Sequence, residues 1–435
     1  MNVHDSGKIA AILCGMGCNE ARDDAEADII LFNTCTVRDH AHHKAISEIG
    51  RAITLKKRRP DLIVGVCGCV AQEEKARLFE IYPELDLVFG PDQIHRLPEL
   101  LAGGKSQIPN SKIIATELID DPGEYNWTPD FSLGAFPTKV GHPPITAFIT
   151  IMKGCNNSCS FCIVPSVRGR EVSRPADDII AEVKELVLRG VKEITLLGQN
   201  VNSYNRGGIS SFVSLLKRIS AETGIQRIRY TSPHPKDLGD DLIEEHVTNP
   251  KLCRHMHLPL QAGSDKILRA MKRSYNKQQF IDKTLKLRKA AEGIDITTDI
   301  IVGFPGETEK DFRDTLDIVR EVAFDGMFAF KYSPRPGTKA AELKDDVAQE
   351  EKEDRLARLL ELNAKIWKEK TEGLIGGVQQ VLVENISKRQ SSQLTGRTFA
   401  NKIVNFSGNL DLIGHIVNTR IIGAGANSLK GELKT

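Results

Sequence analysis

Three thiols crowd into the stretch Gly154-Cys155-Asn156-Asn157-Ser158-Cys159-Ser160-Phe161-Cys162, spaced Cys-x3-Cys-x2-Cys, with no fourth Cys nearby. A loop of this spacing can fold around one metal centre. Zinc sites close with four protein ligands, and a structural iron-sulfur cluster usually takes four thiolates. Three thiolates on a four-iron cluster would leave one iron open to a small molecule. The competing readings are a group of ordinary buried Cys, or a zinc loop completed from afar by His257 or Cys253. The open-cluster reading is the stronger because the loop follows a strand-like run at 146–152, and ligands gather beyond the carboxyl ends of parallel strands.

Such a loop needs a scaffold, and residues 145–338 supply a repeating one: strand, loop, helix, six times over. The strand candidates are 146–152, 193–197, 227–231, 254–258, 295–302 and 326–332. Runs such as 177–189 and 307–322 have helical spacing, and Pro175 can sit at the start of the first, where a missing N–H is harmless. Six such units predict a partial barrel of parallel strands, with active residues at the strand carboxyl ends. The residues there are the three Cys, Gly198-Gln199-Asn200, Ser232-Pro233-His234-Pro235, Pro259-Leu260-Gln261-Ala262-Gly263-Ser264 and Gly303-Phe304-Pro305-Gly306-Glu307. Any one of these loops alone reads as Gly and Pro turning the chain. Five of them on one rim read as a site.

Ahead of the barrel, short apolar runs at 27–33, 61–66 and 86–90 alternate with helical stretches at 39–57 and 72–82, which predicts a parallel α/β sheet. Cys35 and Cys69 lie at the ends of its first two strands, making a second metal-site candidate beside the simpler reading of buried thiols. Residues 103–144 lose periodicity and are punctuated by Gly103, Gly104, Pro109, Pro122, Gly123, Pro129, Pro137, Pro143 and Pro144, as in a surface linker. Past the barrel, 349–372 is a charged helix whose stripe Leu356, Leu359, Leu360, Leu362 and Ile366 reads as a packing face. The remainder is all-β, with strands at 378–384, 394–398, 402–406 and 412–421, and suggests a small five-stranded barrel of the oligonucleotide-binding type. The expected division is an α/β domain over 1–103, a linker over 104–144, a barrel core over 145–370 and a β-barrel over 371–435.

Composition sets the outer bounds. The 435 residues carry a net charge of +1, which neither favours nor excludes nucleic acid. Residues 371–435, with seven Lys or Arg against four Asp or Glu, carry +3, a modest sign of RNA. Nine Cys without a signal segment or a membrane-length apolar run point to a reducing cytoplasm, to metal ligation before disulfides, and away from membranes.

Taken together, the motifs resemble the radical S-adenosylmethionine methylthiotransferases, on the branch that acts on a prenylated adenosine of tRNA. The resemblance runs the length of the chain: Asn33-Thr34-Cys35, Gly68-Cys69-Val70-Ala71, the three-Cys loop with Arg168-Gly169-Arg170-Glu171 and Ser173-Arg174-Pro175, Leu197-Gly198-Gln199-Asn200-Val201-Asn202, His257-Leu258-Pro259-Leu260-Gln261, Val302-Gly303-Phe304-Pro305-Gly306-Glu307-Thr308, and Arg335-Pro336-Gly337-Thr338. The closing segment resembles a TRAM domain.

The resemblance implies two 4Fe-4S clusters. One sits on Cys155, Cys159 and Cys162 and generates a 5'-deoxyadenosyl radical from S-adenosylmethionine. The other, which supplies sulfur, uses Cys35, Cys69 and a third Cys. Phe161, Gly198, Gln199, Asn200, Gln261 and Ser264 become candidate S-adenosylmethionine contacts. The implied partners are tRNA carrying a prenylated adenosine next to the anticodon, a reducing electron donor and a sulfur-delivery or cluster-assembly protein. Sister enzymes of the family act on a threonylcarbamoyl adenosine or on a ribosomal protein, and a non-catalytic RNA-binding iron-sulfur protein is a further alternative.

One departure stands out. Met1-Asn2-Val3-His4-Asp5-Ser6 resembles the tail of the family's Gly-Cys-Gln-Met-Asn segment, so the third cluster Cys is expected to be missing from the chain as written. Either the written start is an internal Met of a longer chain or the second cluster is bound incompletely. Cys67 is the weaker substitute ligand, and Cys14 and Cys18 do not align with the lost one.

Overall fold

The computed structural model describes residues 1–36, 39–102, 112–121, 123–125, 127, 144–206, 210–388 and 390–434, with the side chains of 39–44, 205, 206 and 210 left aside. Most of the Gly and Pro positions expected in the linker, Gly103, Gly104, Pro109, Pro122, Pro129, Pro137 and Pro143, lie outside the described residues. The chain forms two compact units. The first holds Met1–His142, Met152–Asn157 and Ile163–Arg174; the second holds Pro143–Ile151, Ser158–Cys162 and Pro175–Thr435.

In the first unit, β1 (Ile29–Thr34), β2 (Ile63–Gly68), β3 (Leu87–Phe89) and β4 (Ile113–Ala115) pair in parallel in that order. β2 is buried at every position, as a central strand covered on both faces is. Alternation assigns its side chains. Val64 and Val66 pack with Ile49 and Ile53 of the helix Asp39–Lys56, while Ile63 shares a cluster with Ile9 of the helix Asn2–Gly15 and with Leu97. The expected helix over 72–82 forms as two pieces, Cys69–Glu74 and Arg77–Ile81, because Lys75 between them takes a left-handed φ of 48°. β4 lies within the stretch expected to be linker. Three residues are too few to show a period.

A short antiparallel pair completes this unit: Met152–Lys153 against Val172–Ser173 frames the chain on either side of the Cys loop. Lys153 forms a buried pair with Asp92, and Arg168 donates to Asp5 at 2.7 Å, both nearly inaccessible.

The second unit contains the partial barrel. Numbering that short pair β6 and β7, its six strands are β5 (Thr146–Thr150), β8 (Glu193–Leu197), β11 (Arg227–Tyr230), β12 (His255–His257), β13 (Asp295–Val302) and β14 (Gly326–Lys331); β9 (Asn205–Arg206) and β10 (Ser210–Ser211) form a small hairpin between them. All six pair in parallel, in the orders β11-β8-β5 and β12-β13-β14, and a single bridge between Ile228 and Leu252 joins the two sets. Helices Ala176–Leu188, Phe212–Glu222, Asp240–Thr248, Lys277–Ala290 and Glu309–Val322 follow successive strands. The last two start at capping boxes, Asn276 with Gln279 and Thr308 with Asp311. The six expected strands and the fold class are therefore found.

β13 alternates strictly. Ile296, Thr298, Ile300 and Val302 are buried, and Asp295, Thr297, Asp299 and Ile301 are only partly so. Register carries the second set across the sheet, so Phe148, Thr195, His257, Asp299 and Phe328 share the inner face.

The chain closes in a five-stranded barrel of order β15-β16-β17-β19-β18, formed by β15 (Val378–Ile386), β16 (Leu394–Thr398), β17 (Ile403–Phe406), β18 (Ile416–Ala424) and β19 (Leu429–Leu433) around Val381, Val383, Val404, Phe406 and Ile421. The expected strand at 412–421 begins only at Ile416, after a turn at Leu410–Leu412, and β19 was not anticipated.

This barrel docks on the amino-terminal ends of the core strands through buried charge. Arg227 donates to the carbonyls of Arg397 and Gln380 at 3.0 and 3.1 Å. Arg229 donates to those of Thr398 and Phe399 at 2.8 and 3.2 Å and to Glu193 at 2.6 Å. Lys402 reaches back to Asp295. Replacing Arg229 by Ala leaves the Glu193 carboxylate buried without its closest cation, which costs about 3–5 kcal/mol. Denaturant unfolding should show that loss. Limited proteolysis of the variant should release the C-terminal barrel near Gly376, whereas an unchanged digestion pattern and midpoint would mean the guanidinium is dispensable for docking.

Candidate active site

The Cys loop starts from a backbone turn that only Gly can make. Gly154 has φ of 71°, and a Cβ there would lie 1.9 Å from the carbonyl oxygen of Arg170. The Cys155 N–H donates to the Gly169 carbonyl at 3.2 Å. Its half-buried sulfur accepts from the backbone and side-chain nitrogens of Asn157 at 3.4 and 3.3 Å. Donors aimed at sulfur suit a thiolate.

The Cys159 end is braced by a different segment. Ser160 donates its N–H to Met271 at 3.0 Å and its hydroxyl to the Ala270 carbonyl at 2.8 Å. Arg273 donates to the Cys159 sulfur at 3.3 Å, to the Tyr275 hydroxyl at 2.8 Å and to the Pro259 carbonyl at 3.2 Å. The Tyr275 hydroxyl lies 3.0 and 2.9 Å from the carbonyls of Pro259 and Leu260. One guanidinium thus couples a loop thiol to the rim loop after β12. Cys162 is half-buried, and its N–H donates to Cys159 at 3.2 Å.

Strain and unmet hydrogen bonding gather on the same rim. Ser232 and Gln261, beyond β11 and β12, are non-glycine residues at φ 60° and 70°. Gln199 Oε1 and Asn200 Oδ1, beyond β8, are buried acceptors without a partner. A ligand rich in N–H and O–H donors, such as S-adenosylmethionine with its amino groups and ribose hydroxyls, matches that deficit. The other amide atom of Asn200 donates to Asp237 at 2.8 Å.

The remaining expected contacts are placed less openly. Gly198 is buried and Phe161 half-buried. Ser264 is buried with its hydroxyl given to Asp311 at 2.6 Å, a bond that ties two helix starts together.

On the inner face, His257 lies 3.0 Å from the Thr297 hydroxyl and 3.2 Å from Asp299. Its ring meets Phe328 edge-on at 6.1 Å. Cys253 is buried, and burial pushes its thiol up to about 12. Neither residue is free to complete a zinc loop. Sequence reasoning missed Asp299, Phe328 and Arg273. The period-two pattern Asp295, Thr297, Asp299 could have exposed the first.

Cys35 and Cys69 each follow a residue of one register pair, Thr34 and Gly68, so they stand at matching ends of β1 and β2. Gly68, at φ 84°, turns the strand directly into the helix that Cys69 begins. Burial raises the Cys69 thiol, and Arg168, hydrogen-bonded to it, works the other way. Cys69 also packs against Ile163 and Val167. Cys67 belongs to the core cluster with Ile63 and Phe89, and burial holds its thiol far above the usual range. It is a packing residue. Among the described residues no three His, Cys, Asp or Glu side chains already converge on a metal position, and no helix is long and apolar enough to cross a membrane.

Residues 149–319 match the Radical SAM superfamily, 1–90 the uncharacterized protein family UPF0004, and 374–434 the TRAM domain. The chain is 45% identical over 435 residues to the tRNA-2-methylthio-N(6)-dimethylallyladenosine synthase of Geotalea uraniireducens, covering 100% of this chain and 96% of that protein. It is 48% identical to the synthase of that name from Geobacter metallireducens, with the same coverage. Among solved structures, the radical S-adenosylmethionine methyltransferase TsrM from Kitasatospora setae superposes with a TM-score of 0.53 at 18% identity, covering 73% of this chain and 64% of that one, a likeness of fold alone. With its thiol loop, its barrel and its whole length accounted for in this way, the chain belongs to the radical S-adenosylmethionine family of tRNA-2-methylthio-N(6)-dimethylallyladenosine synthases.

Proposed function

We propose that this protein methylthiolates carbon 2 of N(6)-dimethylallyladenosine next to the anticodon of tRNA. The observation that carries the reading is the full-length match, at close to half identity, to synthases of that reaction. Carbon 2 of an adenine ring offers no acidic proton, so side-chain acid-base chemistry has no purchase on it. A cofactor must carry the bond breaking while the protein positions and shields.

Cys155, Cys159 and Cys162 would hold a 4Fe-4S cluster, which with S-adenosylmethionine supplies the 5'-deoxyadenosyl radical. The sulfur-directed donors of Asn157 and Arg273 fit that role. Gln199 and Asn200 would accept from the nucleoside or amino-acid portion of S-adenosylmethionine. Gln261, hydrogen-bonded to Asp299 and Ile301 through its backbone, holds the rim loop to β13. His257, fixed by Asp299 and Thr297, presents a polar edge to the barrel interior. Phe148 and Phe328, 44% and 52% exposed on that same face, offer the apolar surface a dimethylallyl group needs.

Cys35 and Cys69 bring two thiols to one end of the first sheet. Two thiols do not make a three-thiolate set, and Cys67 is committed to the core. A second cluster would draw on Cys35 and Cys69. The electron donor and the sulfur-delivery partner would be proteins that meet a cytoplasmic, oxygen-protected enzyme.

Replacing Cys155, Cys159 or Cys162 by Ala should abolish 5'-deoxyadenosine formation after anaerobic reconstitution; its retention in all three variants would reject the cluster assignment. Nucleoside analysis of tRNA from a deletion strain should show loss of the 2-methylthio group from the prenylated adenosine, and loss only from threonylcarbamoyl adenosine would reject the substrate. Arg273→Gln should keep iron binding and lower the cluster's midpoint potential, since a cation beside a ligand thiolate stabilises the more negative, reduced state. An EPR-monitored redox titration reads the shift, and an unchanged potential would confine Arg273 to holding the loop.

A further inference from the structure

A cavity of about 730 Å³ opens between the inner face of β13 and β14, the second half of the helix Gln349–Glu372 and the C-terminal barrel. That volume is in the range of small-ligand sites. The geometry points to a binding subsite for one unstacked nucleobase of the RNA, adjoining the target adenosine and distinct from it. The inference rests on the proposed tRNA substrate.

The walls are the wrong chemistry for a merely solvated junction. Phe328 is 52% exposed and Leu360 44% exposed, and both face the cavity. Trp367 lines it as well, its indole N–H donated to the Gly425 carbonyl at 3.2 Å, so the ring is fixed in orientation. Lys402 sits 5.2 Å over that ring. The stripe expected to be one packing face has divided: Leu359 and Ile366 are buried, while Leu360 lines the cavity beside Trp367, which the stripe did not include.

Charge selects the occupant. The cavity's charges are already answered by one another or by neighbours, Asp295 by Lys402, Asp325 by Arg288 and Lys370, Glu372 by Lys368, and Arg397 by Glu384. What remains is aromatic and apolar surface with neutral polar groups, among them His255, Thr297, Asn363, Asn401 and Asn427. This suits a planar, uncharged group with a hydrogen-bonding edge better than a phosphate. Continuity selects it further. Phe328 is both a cavity wall and the ring that His257 meets on the inner face, and it pairs in register with Asp299. A base neighbouring an adenosine held at His257 and Asp299 would reach this wall.

The test titrates the full chain, and its Trp367→Ala and Trp367→Phe variants, with a synthetic anticodon stem-loop carrying N(6)-dimethylallyladenosine. Loss of one stacking contact should weaken Kd about 5- to 150-fold in Trp367→Ala, with Trp367→Phe restoring most of it. The loss should be alike at low and high salt, because stacking releases no counterions. Only two Trp are present, so RNA should quench indole emission in the unsubstituted chain and leave Trp367→Phe nearly unquenched. RNA-free cleavage of S-adenosylmethionine should not change, and Trp367→Phe, which loses the Gly425 hydrogen bond but keeps a ring, should bind RNA while unfolding earlier. Tight RNA binding indifferent to both substitutions would overturn the subsite and leave the proposed function standing. No RNA binding by the unsubstituted chain would overturn both.

Discussion

A guanidinium carries five N–H donors and stays charged at any working pH. Burying one obliges the chain to bring acceptors to it from several directions. Arg227, Arg229 and Arg355 are buried and Arg273 is half-buried in the barrel unit, and each links segments far apart in sequence. Arg227 reaches a carbonyl 170 residues away, Arg273 a sulfur 114 residues away, and Arg355 donates to the Glu307 carboxylate and carbonyl across 48 residues. Desolvation consumes much of what such contacts return. Their consequence is a choice among arrangements: a misdocked barrel or a slipped rim loop would leave a buried cation facing no acceptor.

The same cations divide the barrel unit into two working ends. At the carboxyl ends of the strands, Arg273 and Arg355 brace the loops after β12 and β13, and the first of these carries left-handed Gln261, a feature that persists only where the surroundings over-determine it. At the amino ends, Arg227 and Arg229 are fully engaged with Glu193 and with carbonyls of the C-terminal barrel. Beyond β8 the buried acceptors of Gln199 and Asn200 have no partner within the fold, whereas the guanidinium groups of Arg227 and Arg229 are answered by it.

Much of this was legible in the sequence because burial leaves a period. The six core strands, the helix Gln349–Glu372 and most of the C-terminal barrel followed from apolar alternation and Gly or Asn punctuation, and the placement of Cys35 and Cys69 at matching strand ends followed with them. What stayed hidden lacked a local signature. β4 is three residues long, β19 carries a Gly at its centre, and the helix break at Lys75 turns on one left-handed residue that composition does not announce. Arg273 looks like any cation after a short helix until the fold sets it beside Cys159. Ser264 reads as a ligand contact, and its hydroxyl donates to Asp311, a pairing across 47 residues that no local pattern announces.

The helix Gln349–Glu372 shows how one element can serve both ends. Its first turns carry Lys352 and Arg355, packed under Gly303 and Glu307 at the rim. Its last turns carry Trp367 at the cavity and Lys370 on Asp325. A rigid helix of 24 residues spans about 36 Å at the standard rise, enough to run the full height of the strands it covers. The spacing between the rim chemistry and the C-terminal barrel is therefore set by a single hydrogen-bonded rod. RNA that touched the C-terminal barrel while delivering a base to the rim would be measured against a fixed length, so that selection of the modified position could rest on distance as well as on the base itself.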